Sequence, residues 1–160
     1  MTDKHAINIV ETDGDLEGCL DVRRAVFIVE QQIAEADEID EYDTLDAECT
    51  HFIARKAQSP VGTARLRIVN GAAKLQRVAV LKSHRGEGIA TALLRAMLNH
   101  VREQKLASQA ILSSQLGAMD VYAKIGFVAV GDIYDDVGIP HRDMTLDLNQ
   151  SKKIESPLGS

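Results

Sequence analysis

A mixed α/β domain is what this 160-residue chain predicts, on three observations. Strand-like segments between His51 and Val80 are punctuated by turn signals, above all Asn70-Gly71. A strongly amphipathic helix starts near Gly88, and a strand, a short helix and two strands follow it. Both element types alternating in one chain of this length argue for a mixed central sheet flanked by helices, with a core large enough to fold without disulfides or metal.

The elements follow in order. His5 to Val10 alternates weakly as a first strand, and Thr12-Asp-Gly-Asp15 supplies oxygens suited to a helix start. Cys19, Val22, Val26 and Val29 recur at helical spacing with Leu20 and Phe27 beside them, which predicts a helix over 14–29. The acidic stretch from Glu35 to Glu48 reads as irregular. Strands are expected at 50–55, 61–68 and 74–80, separated first by Ala57-Gln-Ser-Pro60 and then by the Asn70-Gly71 hairpin signal, as an antiparallel meander. After Gly88, the residues Ile89, Leu93 and Met97 share one line with Ala90, Leu94 and Leu98 alongside, giving a helix to about Gln104. Residues 110–113 read as a short central strand and 118–124 as a short helix closed by Gly126. Residues 127–133 and 143–148 read as two last strands joined by Asp135-Asp-Val-Gly-Ile-Pro-His141. Residues 1–150 are expected to form one domain and 151–160 a flexible tail.

Composition narrows the function classes. At 45% hydrophobic and 26% charged, with no apolar run near the roughly 18 residues of a membrane span, the chain reads as globular and without a membrane partner. A formal charge of −6 argues against a nucleic-acid partner, which calls for clustered Lys and Arg. The start Met1-Thr-Asp-Lys-His5 lacks a signal-peptide pattern, and two cysteines, Cys19 and Cys49, suit a reducing cytoplasm. The acid is concentrated: Glu35, Asp37, Glu38, Asp40, Glu41, Asp43, Asp46 and Glu48 run without a single basic residue. Such a run is either a solvated face or a mouth that attracts a cationic amine.

The segment Arg85-Gly86-Glu87-Gly88-Ile89-Ala90 carries the most chemistry. A helix start offers amide N–H groups without intrahelical partners, and glycines let an anion approach the backbone, so a phosphorylated ligand is expected there. No Gly-Lys-Ser/Thr follows it, and the glycine spacing is not that of a dinucleotide fingerprint. Arg85, two free positions, Gly88, one free position and Ala90 form a pattern that resembles the acetyl-CoA signature of the GNAT superfamily of N-acetyltransferases. The order of elements from Ile7 to Leu148 resembles the GNAT fold as well, with its splayed strands.

That resemblance implies a site. Acetyl-CoA would lay its pyrophosphate on Arg85, Gly86, Glu87, Gly88, Ile89 and Ala90, and its pantetheine arm beside the backbone of Val78, Ala79 and Val80. Tyr122-Ala-Lys-Ile-Gly126-Phe127 resembles the family's Tyr-x-Lys-x-Gly-Phe element, which makes Tyr122 the general acid for the departing thiolate. Gln115 stands where many members carry an asparagine that touches coenzyme A. A phenol with a pKa near 10 stays protonated at neutral pH, as that role demands. The glutamate that many members carry before the glycine turn is absent, since Lys74 and Gln76 occupy that region. The base is left open among Glu30, His141 and His51. No metal is implied.

Arg24-Ala-Val-Phe-Ile-Val-Glu-Gln-Gln32, Glu38-Ile-Asp40 and Gly138-Ile-Pro-His141 with Met144 resemble the ElaA-like bacterial branch, which strengthens Glu30 and His141 as pocket residues. The expected reaction is direct attack of a primary amine on acetyl-CoA in a ternary complex, the acceptor being a small molecule or a peptide. A homodimer is compatible with the family. Two rivals stand beside this reading. Arg24 to Phe27, Asp40-Glu-Tyr-Asp43 and Gly62-Thr-Ala-Arg65-Leu66 are also similar to acyl-homoserine-lactone synthases, which use S-adenosylmethionine but generally lack the Arg-x-x-Gly-x-Ala cradle. A non-catalytic acetyl-CoA-binding domain would bind without turnover.

Overall fold

Thr12 caps the first helix, its hydroxyl accepting from the Asp15 N–H at 3.1 Å. The computed structural model describes residues 5–149; the stretch 151–160, expected as a tail, lies outside the described residues. Strand β1 (His5–Ile9) leads into helix α1 (Asp13–Arg23), which continues as a π-helical segment over Arg24–Glu30. The expected helix over 14–29 is therefore present in extent but changes hydrogen bonding after Arg23. The Gln31 N–H reaches back to the Val26 carbonyl at 3.1 Å, a five-residue step. A wide turn of this kind is uncommon and concentrates at functional sites.

A single turn, α2 (Glu35–Glu38), interrupts the acidic stretch that reads as irregular from sequence. Then come β2 (Thr50–Lys56), β3 (Ser59–Val69) and β4 (Ala72–Val80), with the two-residue turns Ala57-Gln58 and Asn70-Gly71 at positive φ between them. Helix α3 (Ile89–Glu103) buries Ile89, Leu93, Leu94, Met97, Leu98 and Val101, the stripe expected of it. Strand β5 (Gln109–Gln115), helix α4 (Met119–Ile125), β6 (Val128–Asp136) and β7 (Ile139–Asp147) complete the chain. The last two strands run longer than expected. Val137 and Gly138, both at positive φ, close them as a two-residue hairpin, so Ile139, Pro140 and His141 are strand residues rather than loop. A valine is a poor left-handed residue, which hides this turn from turn chemistry.

The described chain divides into two compact units, and β3, β4 and α3 each contribute to both. The first takes the chain up to Arg67 and from Gln76 to Met97, with strands ordered β1-β2-β3-β4. Its core joins Val10, Leu16, Cys19 and Ile53 in one cluster and Val22, Val26 and Ala79 in another, with Phe27 and Leu81 packed on the latter. Gly62 is needed here: a Cβ on it would stand 2.9 Å from Ile89 Cγ2 and 3.3 Å from the Ala79 carbonyl oxygen, so only hydrogen lets α3 begin this close to the sheet. The second unit takes Ile68–Leu75 and the chain from Leu98 on, with strands ordered β4-β5-β7-β6. In it β5 runs parallel to the start of β4, pairing Ala73 with Ala110 and Lys74 with Ile111, and antiparallel to β7. The seven strands form a mixed sheet.

Candidate active site

Gly86 and Gly88 both adopt φ +83, a left-handed conformation that costs glycine nothing, and a Cβ on either would meet no atom within 4 Å. The backbone from Arg85 to Ala90 is thus an open turn at the amino end of α3, with Gly86, Glu87 and Gly88 exposed and Ile89 anchored in the core. These are the properties of a cradle for a phosphate group, and the residues fit the coenzyme A pyrophosphate.

The Arg85 side chain points elsewhere. Its Nε donates to the Val80 carbonyl at 3.0 Å and its two terminal nitrogens donate to the Glu30 carboxylate at 2.6 and 2.7 Å. Arg85 therefore ties the end of the π-helical segment to the end of β4. Hydrogen bonding from Arg85 lowers the Glu30 carboxyl below its ordinary value, the opposite of the tuning a general base at neutral pH needs. Glu87 is held by Lys56 at 3.0 Å and by His84 at 3.4 Å, so neither acidic side chain at this turn is an uncompensated charge facing an incoming anion.

Strand β4 breaks its own regularity. Past the pairs with β5 that end at Lys74, Arg77 takes φ +54, a local kink, before Val78, Ala79 and Val80. Such a kink re-aims the backbone groups that follow it. Val78 is half-buried, while Ala79 and Val80 are buried.

The acidic stretch is not a uniform solvated face. Glu38 and Asp43 are buried, and Asp40 is half-buried. Arg23, 1% exposed, donates to Glu38 Oε2 at 2.9 Å, to the Glu38 carbonyl at 2.6 Å and to both Asp43 oxygens at 2.6 and 3.0 Å. Arg65, equally buried, donates to Asp40 at 2.7 and 3.0 Å, to Asp43 at 3.0 Å and to Gln76 Oε1 at 3.1 Å. Burial outweighs the nearby arginines at Glu38 and raises its carboxyl. At Asp43 burial pushes the same way but is overcome by hydrogen bonds from Arg23 and the Asp40 N–H, which hold it well below the carboxylate range. Glu35, Asp37, Glu41, Asp46 and Glu48 remain exposed. Sequence reasoning missed this division because the counter-charges come from α1 and β3, far away in the chain.

His51 is buried, with Nε2 3.0 Å from the Tyr42 carbonyl and 3.2 Å from Cys49 Sγ; burial lowers its pKa. Burial also raises the Cys49 thiol, so the pair is neutral and the thiol is no activated nucleophile.

The second unit holds the remaining residues. Tyr122 lies on α4, half-buried, its ring edge-on to Phe127 with centroids 6.2 Å apart. Gly126 ends α4 at φ +121, which lets the Phe127 N–H reach the Tyr122 carbonyl at 3.1 Å. Burial alone pushes the Tyr122 phenol up to about 12. Gln115 and His141 face each other in the β5–β7 register. His141 is buried, and its Nδ1 donates to the Ile139 carbonyl at 2.7 Å. A carbonyl only accepts, so the neutral ring carries its proton on Nδ1 and keeps the Nε2 lone pair for accepting. Sequence reasoning did not single out the neighbours of His141: the Tyr134 ring stacks on it at 6.1 Å, and the Tyr134 hydroxyl donates to Asp143 at 2.6 Å and is hydrogen-bonded to Ser113. A register shift between Val130 and Tyr134 brings Tyr134 opposite His141.

Comparison with known proteins decides the family. The model of the acetyltransferase (GNAT) domain matches residues 14–148, which span both units. The chain belongs to the GNAT family. It is 37% identical to YyaT of Bacillus subtilis over 91% of this chain and 97% of that one, and 35% identical to the N-acetyltransferase YjcF of the same organism over 87% and 97%. Among solved structures, Escherichia coli ElaA superposes with a TM-score of 0.79 at 25% identity, covering 91% of this chain and all of ElaA. GNAT proteins bind acyl-CoA, and their fold is the one described above; an acyltransferase is what this chain's relatives indicate. Among the described residues, no three His, Cys, Asp or Glu side chains gather as metal ligands, and no helix is long and apolar enough to cross a membrane.

Proposed function

We propose that this GNAT protein transfers the acetyl group of acetyl-CoA to a primary amine by direct attack in a ternary complex. The observation that carries the reading is the open, left-handed Gly86/Gly88 turn at the start of α3, where no atom stands near either glycine's Cβ position and the Arg85 side chain is engaged elsewhere. Bound acetyl-CoA supplies the activated acyl thioester. The backbone N–H of Val78 or Val80, past the kink at Arg77, polarises the acyl carbonyl. Tyr122 keeps a proton on its phenol oxygen for the leaving sulfur, and its raised pKa holds that proton throughout the neutral range. Of the base candidates, His141 fits better than Glu30, because its Nε2 is left to accept a proton once Nδ1 donates to the Ile139 carbonyl, whereas Glu30 is committed to Arg85. Gln115, opposite His141, offers its amide to the cofactor.

The acceptor is a small-molecule or peptide amine, and the five exposed carboxylates from Glu35 to Glu48 favour one that carries positive charge. The free thiols of Cys19 and Cys49 suit a reducing cytoplasm. Isothermal titration tests the donor half. Coenzyme A should bind the wild type and fail to bind Gly88→Trp, which places bulk in the open turn and strains its left-handed backbone; a cooperative thermal transition shows that the variant is folded. Equal affinity in both proteins would reject the cradle.

A further inference from the structure

We infer that Arg77 is a positioning residue: its guanidinium, fastened to the acidic loop at Glu38 and Asp40, holds the backbone kink that aims the Val78 N–H. The inference rests on the acetyl-CoA reading above and adds the device that keeps its carbonyl-polarising group in place.

The geometry has three parts. First, φ +54 at Arg77 is an uphill conformation for any residue with a Cβ, and it persists only where the surroundings over-determine it. Second, the surroundings here are identifiable. Arg77 Nε lies 3.2 Å from both the Glu38 carbonyl and Glu38 Oε2. One terminal nitrogen lies 3.4 Å from Asp40 Oδ2 and 3.5 Å from the Asp37 carbonyl. Third, successive side chains of a regular strand point to opposite faces, yet both Gln76, through Arg65, and Arg77 engage the same loop cluster. A kink between them is what makes that double attachment possible. The loop is itself a firm anchor, because Arg23 and Arg65 fix Glu38, Asp40 and Asp43 independently of Arg77. The loop that carries the exposed carboxylates and the strand segment proposed to polarise the acyl carbonyl are therefore one mechanical piece.

The test separates the kink from the cradle. Arg77→Ala removes the fork and leaves a Cβ in the unfavourable conformation, so residue 77 should relax to extended backbone. Arg77→Gly tolerates the left-handed conformation without the fork. With amine acetylation followed by thiol release, kcat should fall about tenfold or more in Arg77→Ala and less in Arg77→Gly, while the Kd for coenzyme A stays within about twofold in both. Backbone carbon chemical shifts of residues 76–78, read without cofactor, should move from left-handed to extended values in Arg77→Ala. Unchanged shifts, or an unchanged kcat with the shifts moved, would overturn the positioning role. A wild-type protein that binds no coenzyme A would instead overturn the acetyl-CoA reading, and the shifts would still report on the kink.

Discussion

Glu30 and Arg85, 55 positions apart in the chain, face each other as a two-point ion pair with oxygen–nitrogen distances of 2.6 and 2.7 Å. The pair bears on the part proposed for each residue. Arg85 is the residue of the signature that would most readily be read as a phosphate ligand, yet its guanidinium is spent on Glu30 and the Val80 carbonyl, so the proposed cradle rests on the backbone of the turn. Glu30 stands at the last position of the π-helical segment, and its carboxyl is lowered rather than raised.

The first prediction sets Glu30 against His141. Glu30→Gln keeps the shape but loses the charge, so coenzyme A affinity should weaken by a few-fold as the turn loosens, with kcat near wild type. His141→Ala should leave coenzyme A affinity intact and lower kcat by roughly 10²- to 10⁴-fold, the usual worth of a positioned base. Titration calorimetry together with steady-state rates reads both. A large kcat loss in Glu30→Gln with little in His141→Ala would restore Glu30 as the base.

The second concerns Tyr122. Its phenol, raised to about 12 by burial, stays protonated well above the pH at which an ordinary tyrosine ionises. Tyr122→Phe should lower kcat by roughly 10²- to 10⁴-fold with coenzyme A affinity nearly unchanged, since only the hydroxyl is removed. With the phenol pushed up to about 12, the wild-type rate should show no alkaline decline from this group across the neutral and mildly alkaline range. Wild-type turnover in Tyr122→Phe would end its role as the acid.

Local pattern made some of this legible. The stripe of α3, the Asn70-Gly71 hairpin and the glycines at 86, 88 and 126 each follow from spacing or from the need for positive φ, and the structure places them accordingly. What stayed hidden depends on partners distant in sequence. Arg23 and Arg65 look like ordinary surface charges until the fold brings Glu38 and Asp43 to them, and Arg77 gives no local hint of φ +54 because arginine has no preference for it. The π-helical turn after Arg23 and the tight turn at Val137 likewise run against residue preference, as structure near functional sites often does. Tyr134 was hidden by the register shift in β6, since no spacing rule places it opposite His141.

The last prediction concerns the buried ion network and its pH dependence. Asp43 is shared by Arg23 and Arg65, so Asp43→Asn leaves two buried guanidinium groups short of a counter-charge and should destabilise the protein by about 3–5 kcal/mol at neutral pH. The sign with pH follows from linkage. A carboxyl depressed in the folded state contributes stability that is complete above its unfolded value, near 4, and is lost as pH falls through and below it. At Asp40 burial pushes the carboxyl up but is outweighed by the hydrogen bond and charge of Arg65 and the Tyr42 N–H, so it is lowered and acts in the same direction. Glu38, raised by burial, acts oppositely: the folded state takes up its proton more readily, which offsets part of the loss in the same acid range. The wild-type melting temperature should therefore fall as pH drops below about 5, and the fall should be shallower in Asp43→Asn, whose stability already lacks the Asp43 contribution. Thermal denaturation of both proteins from pH 7 to pH 3 reads the difference in slope, and parallel curves would show that Asp43 does not couple folding to pH.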